Sequence, residues 1–154
     1  MQFQIDLPPW AIEANQALPD CLATIESRMA TVIEFSRQNV RHQTGGPFAA
    51  GVFEKESGKV VVVGVNRVMP VNVSSAHAEI VTLSLAQTML GTHDLGGPDM
   101  PAFQLVVNAQ PCAMCYGSLL WSGIRSVVTG AAGSEVESIT GFDEGPIHPD
   151  WQQE

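Results

Sequence analysis

His77-Ala78-Glu79, followed far downstream by Pro111-Cys112-Ala113-Met114-Cys115, constrains this chain more than anything else in it. The first segment sets an imidazole and a carboxylate two positions apart. The second sets two thiols one helical turn apart. Together they offer three soft-to-borderline metal ligands and one spare carboxylate. A catalytic zinc site requires that set: three protein ligands, one coordination position left for water, and a base beside it.

Either half alone says little. A His-x-Glu at a helix start is ordinarily an exposed first turn, where the helix dipole favours a carboxylate. A Cys-x-x-Cys is a redox pair, half of a structural zinc site, or two packed thiols. The order of the two segments and the proline before the first cysteine make the combination specific. It resembles the signature of the zinc-dependent base deaminases, His-x-Glu and then Pro-Cys-x-x-Cys.

A length of 154 residues suits a single domain, 1–154, around one core. An apolar fraction of 45% with 15% charged residues describes a globular chain. No apolar run reaches the ~18–20 residues needed to cross a bilayer. Met1 to Trp10 has neither a basic start nor a long apolar stretch, so no signal peptide and no membrane partner are expected, and a cytoplasmic location follows. Two of the three cysteines belong to the signature; Cys21 is expected as a buried helix residue, since free Cys packs as a small hydrophobe. The net charge is −9, with only seven Lys and Arg, thinly spread. Gripping a phosphate backbone takes clustered cations, so a nucleic-acid partner is disfavoured and a small uncharged substrate fits better.

Residues 1–18 read as irregular, interrupted by Pro8 and Pro9 and followed by Pro19. From Asp20, a plausible N-cap, to about Val40, the residues Leu22, Ile25, Met29, Val32 and Ile33 recur at helical spacing. Gly45-Gly46-Pro47 marks a turn. Residues 48–54 and 59–66 read as a hairpin turning at Ser57-Gly58, and the continuous run Val60 to Val63 implies a strand covered on both faces. Helices are expected over about 76–90, ended by Gly91, and about 112–122, opened by Pro111. Strands are expected at 103–108 and 125–130. This order implies a mixed sheet flanked by helices.

Both ligand segments therefore open a helix after a loop. Orphan amides and partial positive charge there lower thiol pKa and favour thiolates at Cys112 and Cys115, which share one helix face. His77 adds the third ligand. Glu79 is placed to take a proton from water and pass it to a ring nitrogen and then to a leaving amine, a contribution of about 10²- to 10⁴-fold in rate.

The chain resembles the cytidine deaminase-like zinc hydrolases, and among them the bacterial guanine deaminases. Beyond the signature, the likeness rests on Gly45-Gly46-Pro47-Phe48, on Asn66 ending the second strand, on Trp121 following Cys115, and on Gly141-Phe142-Asp143-Glu144. It implies a three-layer α/β/α fold with a five-stranded mixed sheet, a bound Zn2+ and a homodimer. It implies that Phe48 stacks on a purine and Asn66 hydrogen-bonds it. Ala78, Trp121 and Asp143 would line the pocket, and Glu144 would contact the amine as a second proton shuttle. Gln110 departs from the family, whose members usually carry Glu there. Relatives also continue further after the Gly-Phe-Asp segment. A lid is thus expected from Gly145–Glu154, with Trp151 a candidate, or from the extra N-terminal stretch 1–19.

The implied reaction is hydrolytic deamination of guanine to xanthine and ammonia. The alternatives are another small aminated ring such as an aminotriazine or cytosine, a tRNA adenosine deaminase, and a non-catalytic zinc module. The last requires a fourth protein ligand, such as Cys21 or His93.

Overall fold

The computed structural model describes residues 4–142. The supposedly irregular N-terminus contains a helix, α1 (Pro9–Ala17). Pro9 sits at its first position, where the missing N–H has no partner to lose. Helix α2 (Ile25–Arg41) starts later than Asp20. Thr24 is the cap, its Oγ1 accepting the Ser27 amide at 3.1 Å. Cys21 consequently lies before the helix; it is exposed and bridges to Lys59, which corrects the expectation of a buried helical thiol.

Strands β1 (Ala49–Glu54) and β2 (Val60–Val65) form the expected hairpin, with a register shift at Val52/Phe53. A short helix, α3 (Val68–Val71), leads to α4 (Ala78–Leu90), which Gly91 ends in a left-handed conformation. Strand β3 (Phe103–Ala109), helix α5 (Ala113–Ser122) and strand β4 (Ser126–Ala131) then make a parallel β-α-β unit. Helix α6 (Gly133–Thr140) follows.

Among the described residues the sheet has four strands, in the order β2-β1-β3-β4, where the family resemblance implied five. Pairing is antiparallel except between β3 and β4. After β4 the chain turns helical. The Glu135 carboxylate accepts the Ala132 amide at 2.8 Å and closes the first turn of α6, so this segment does not pair beside β4.

Strand alternation divides the core in two. Ala50, Val52, Val62, Leu105 and Val107 face α4 and α5, meeting Ala78, Leu83, Ala86 and Leu119. Ala49, Phe53, Val63, Val65 and Val106 face the other way, onto Ala11 of α1 and Val32 and Phe35 of α2. The outcome is the expected three-layer α/β/α arrangement. Each fully buried Val or Leu contributes on the order of 1.5–3 kcal/mol. Helix α4 lies unusually close on β2 at Gly64, where a Cβ would stand 2.3 Å from Thr82 Oγ1 and 3.2 Å from Thr82 Cα. A bare backbone here lets the helix settle and fixes the height of its N-terminus over the sheet.

Both signature helices begin at the same end of the sheet. Strand β3 ends at Ala109, just before Ala113 opens α5. Strand β2 ends at Val65, and the Arg67 amide donates to Ala76 O at 2.9 Å, drawing the start of α4 to that same edge. Sites of open α/β sheets characteristically form outside the carboxyl ends of strands, as here.

Candidate active site

His77 is the cap residue of α4 and Cys112 the cap residue of α5. Neither position is accidental. A cap residue has non-helical backbone and its side chain swings over the first turn, into the space that the orphan amides face. Cys112 Sγ accepts the Cys115 amide at 3.5 Å, as an N-cap oxygen normally does. Cys112 Sγ and His77 Nδ1 stand 3.7 Å apart. Ligand atoms of His77, Cys112 and Cys115 all lie within 4.8 Å of one another. Tetrahedral zinc with Zn–N near 2.0 Å and Zn–S near 2.3 Å sets ligand atoms roughly 3.5–3.8 Å apart. The donor set and its spacing therefore fit zinc. Among the described residues the cluster stops at three ligands. Cys21 is exposed beside Lys59, and His93 lines a groove between α4 and α5 instead.

The electrostatics match the donor set. A hydrogen bond from the Cys115 thiol lowers the Cys112 thiol to about 4, against its burial and with help from His77. Cys115 is pushed above the ordinary thiol range, first by that same hydrogen bond and then by burial. The shared hydrogen bond thus favours the thiolate at Cys112 over that at Cys115. Glu79 is buried, at 6% exposure. Burial raises its carboxyl, opposed by hydrogen bonds to its own backbone and to Cys115. A buried carboxyl with raised pKa touching a ligand of the cluster is the kind of group that takes and returns protons.

Around this centre the other expected residues fall in different places. Ala78 is fully buried in the first turn of α4, next to the cluster. Phe48 is half-buried against the core beneath α4. Asn66 is 8% exposed, and its Oδ1 accepts the amides of Gly46 at 3.4 Å and Val68 at 3.3 Å. Two N–H donors on one oxygen settle which way the amide faces. Its NH2 makes no hydrogen bond among the described residues. Trp121 is not part of the helix-to-sheet core. It is 89% exposed and lines a surface groove with Ile80, Leu83 and Ser118. Asp143, Glu144 and the segment 145–154 lie outside the described residues.

Sequence reasoning overlooked Asn108, near the end of β3. Its Oδ1 accepts the Ala49 amide at 2.8 Å and its Nδ2 donates to Pro47 O at 2.9 Å, bracketing Phe48 from both sides. The available signal was an amide side chain directly after the apolar run Leu105-Val106-Val107.

Residues 23–131 match the cytidine and deoxycytidylate deaminase zinc-binding region. The chain belongs to this family. Its metal centre is accordingly a zinc-binding deaminase centre, built on His77, Cys112 and Cys115. Among solved structures, a guanine deaminase from Nitrosomonas europaea is 49% identical and superimposes with a TM-score of 0.89, covering 99% of this chain and 82% of that one. The protein NE0047 in complex with 2,6-diaminopurine is 50% identical with a TM-score of 0.88, covering 97% of this chain and 78% of that one. Guanine deaminase of Bacillus subtilis is 27% identical over 123 residues, 80% of this chain and 74% of the relative. The deaminase is an aminohydrolase, and its fold is that of its relatives.

Proposed function

We propose that this deaminase hydrolyses guanine to xanthine and ammonia. The observation that carries the reading is the near-complete superposition on a guanine deaminase at about half identity, with the three metal ligands gathered as that chemistry needs.

Zinc held by His77, Cys112 and Cys115 supplies the Lewis acidity that makes water nucleophilic near neutral pH. Glu79 takes the proton of the attacking water, gives it to a ring nitrogen, and later delivers a proton to the departing amine, so that ammonia leaves and the carbonyl of xanthine forms. The Asn66 NH2 donates to acceptor atoms of the base. Phe48 stacks on the ring, and Ala78 offers a first-turn amide beside it. Glu144 is assigned the amine contact and the second proton relay, and Asp143 a part in substrate binding.

A homodimer completes the proposal. Tyr116 and Leu120, one turn apart on α5, are 58% and 54% exposed beside Trp121. An apolar helix face of this kind is suited to a second copy, and Trp121 would edge the pocket there. No helix among the described residues is long and apolar enough to cross a membrane. A cytoplasmic location suits a site that needs its thiols reduced, and the acidic balance of −9 suits a free base better than a polyanion.

The test is ammonia release by zinc-loaded protein offered guanine, cytosine, adenosine and an aminotriazine. Guanine should be the fastest by kcat/KM. A faster reaction with any of the others would move the substrate assignment to that ring.

A further inference from the structure

Asn39 is wholly buried on the inner face of α2, two turns after Val32 and one after Phe35. A core amide is costly unless each polar atom is paired. Here both are. Asn39 Nδ2 donates to Gly46 O and to Asn66 O, each at 2.9 Å. Asn39 Oδ1 accepts the Thr44 hydroxyl at 2.8 Å, and that hydroxyl in turn accepts Trp10 Nε1 at 2.9 Å.

The direction of this relay is fixed at its origin. An indole N–H only donates, so the Thr44 hydroxyl accepts it and spends its own hydrogen on Asn39 Oδ1. The Asn39 NH2 is thereby turned toward the two carbonyls. Gly46 O also accepts the Phe48 amide at 2.8 Å, and Asn66 donates its own amide to Phe48 O at 2.9 Å. The loop is pressed so closely on the two asparagines that a Cβ at Gly45 would stand 1.9 Å from Asn66 O and 2.6 Å from Asn39 Nδ2. With Gly46 held there, its amide meets Asn66 Oδ1.

We propose that Asn39 is a positioning residue for base recognition: it clamps the Thr44–Gly46 loop to the end of β2 and so fixes the orientation in which Asn66 presents its NH2 to the substrate. This rests on the reading of Asn66 as a contact to the base. Asn39 itself touches no reacting atom; it acts through Asn66. Helix α1, by way of Trp10, becomes a remote part of the substrate pocket.

The test combines kinetics with a substrate-free readout. In zinc-loaded protein, Asn39→Asp places an acceptor against two carbonyls. It should raise the KM for guanine about 10-fold, the equivalent of about 1.4 kcal/mol, while kcat and zinc stoichiometry stay near wild type, the pattern of lost ground-state binding. In an Asn66→Ala background the same substitution should add no more than about a 2-fold increase, because coupled residues are non-additive. Thr44→Val, which removes only the relay hydroxyl at nearly constant volume, should raise KM in the same direction and serves if Asn39→Asp does not fold. Without substrate, the Gly46 and Val68 amides should exchange hydrogen at least about 10-fold faster in the variants while α5 amides keep their protection. An unchanged KM in both variants, a full penalty repeated in the Asn66→Ala background, or unchanged exchange at Gly46 and Val68 would overturn the proposal. A wild-type protein inert toward guanine would count against the substrate assignment alone, since the exchange measurement still decides the role of Asn39.

Discussion

Cys112 carries two tasks at once: it caps α5 and offers a thiolate to the metal. The tasks separate chemically. Serine is a good N-cap but a poor zinc ligand. Cys112→Ser should therefore keep α5 and the fold while zinc falls from about one per chain to nearly none, and deamination should fall with it. Metal analysis beside circular dichroism reads both; a serine variant that retains stoichiometric zinc would remove Cys112 from the ligand set. The same residue illustrates why the centre is poised for a cation. Its thiol, lowered to about 4, is the readier thiolate of the two, whereas the shared hydrogen bond and burial raise Cys115. Asn66 also divides its work. Its oxygen holds the loop and the start of α3, and its nitrogen is the group proposed to meet the base.

Among the secondary elements, α1 does something its sequence conceals. The Asn15 side chain pairs with the backbone of Val63 on the edge strand β2, accepting its amide and donating to its carbonyl, both at 2.8 Å. An amide side chain thus stands in for a missing neighbouring strand and closes part of the edge. Asn15→Ala should cost about 1–2 kcal/mol, roughly 2–8 °C in Tm for a chain of this size, with zinc content unchanged. A Tm equal to wild type would show that the edge needs no such cover. Legibility differed between elements for physical reasons. The starts of α4 and α5 could be read because Pro111, Gly91 and the signature residues are local signals. Helix α1 was misread because Pro8 and Pro9 look like breakers, although proline at a first helical position starts a helix. Asp20 lost the cap of α2 to Thr24, whose hydroxyl is the one in register with the Ser27 amide. The fifth strand came from family likeness and has no counterpart among the described residues. Asn39 and Asn108 stayed hidden because their partners are up to 61 positions away, beyond any local pattern.

For the molecule as a whole, the surface is acidic overall and locally apolar. The exposed trio Tyr116, Leu120 and Trp121 on α5 is the apolar cluster that the homodimer proposal uses. Leu120→Glu should halve the mass measured by light scattering, since a carboxylate buried against its own copy in a two-fold interface is repelled; a wild-type protein that is already monomeric, or a dimer indifferent to the charge, would refute that face. The two helix starts, the two layers behind them and the asparagine-braced loop all bear on the proposed reaction, in which Glu79 would take the proton of the water that attacks the amine-bearing carbon of guanine, with zinc on His77, Cys112 and Cys115 supplying the Lewis acidity. The most direct measurement is ammonia release from guanine by zinc-loaded wild-type protein and by zinc-loaded Glu79→Gln. The wild type should yield xanthine and ammonia in equal amounts, and the variant should keep its zinc but turn over roughly 10²- to 10⁴-fold more slowly. No ammonia from the wild type, or an undiminished rate from Glu79→Gln, would contradict it.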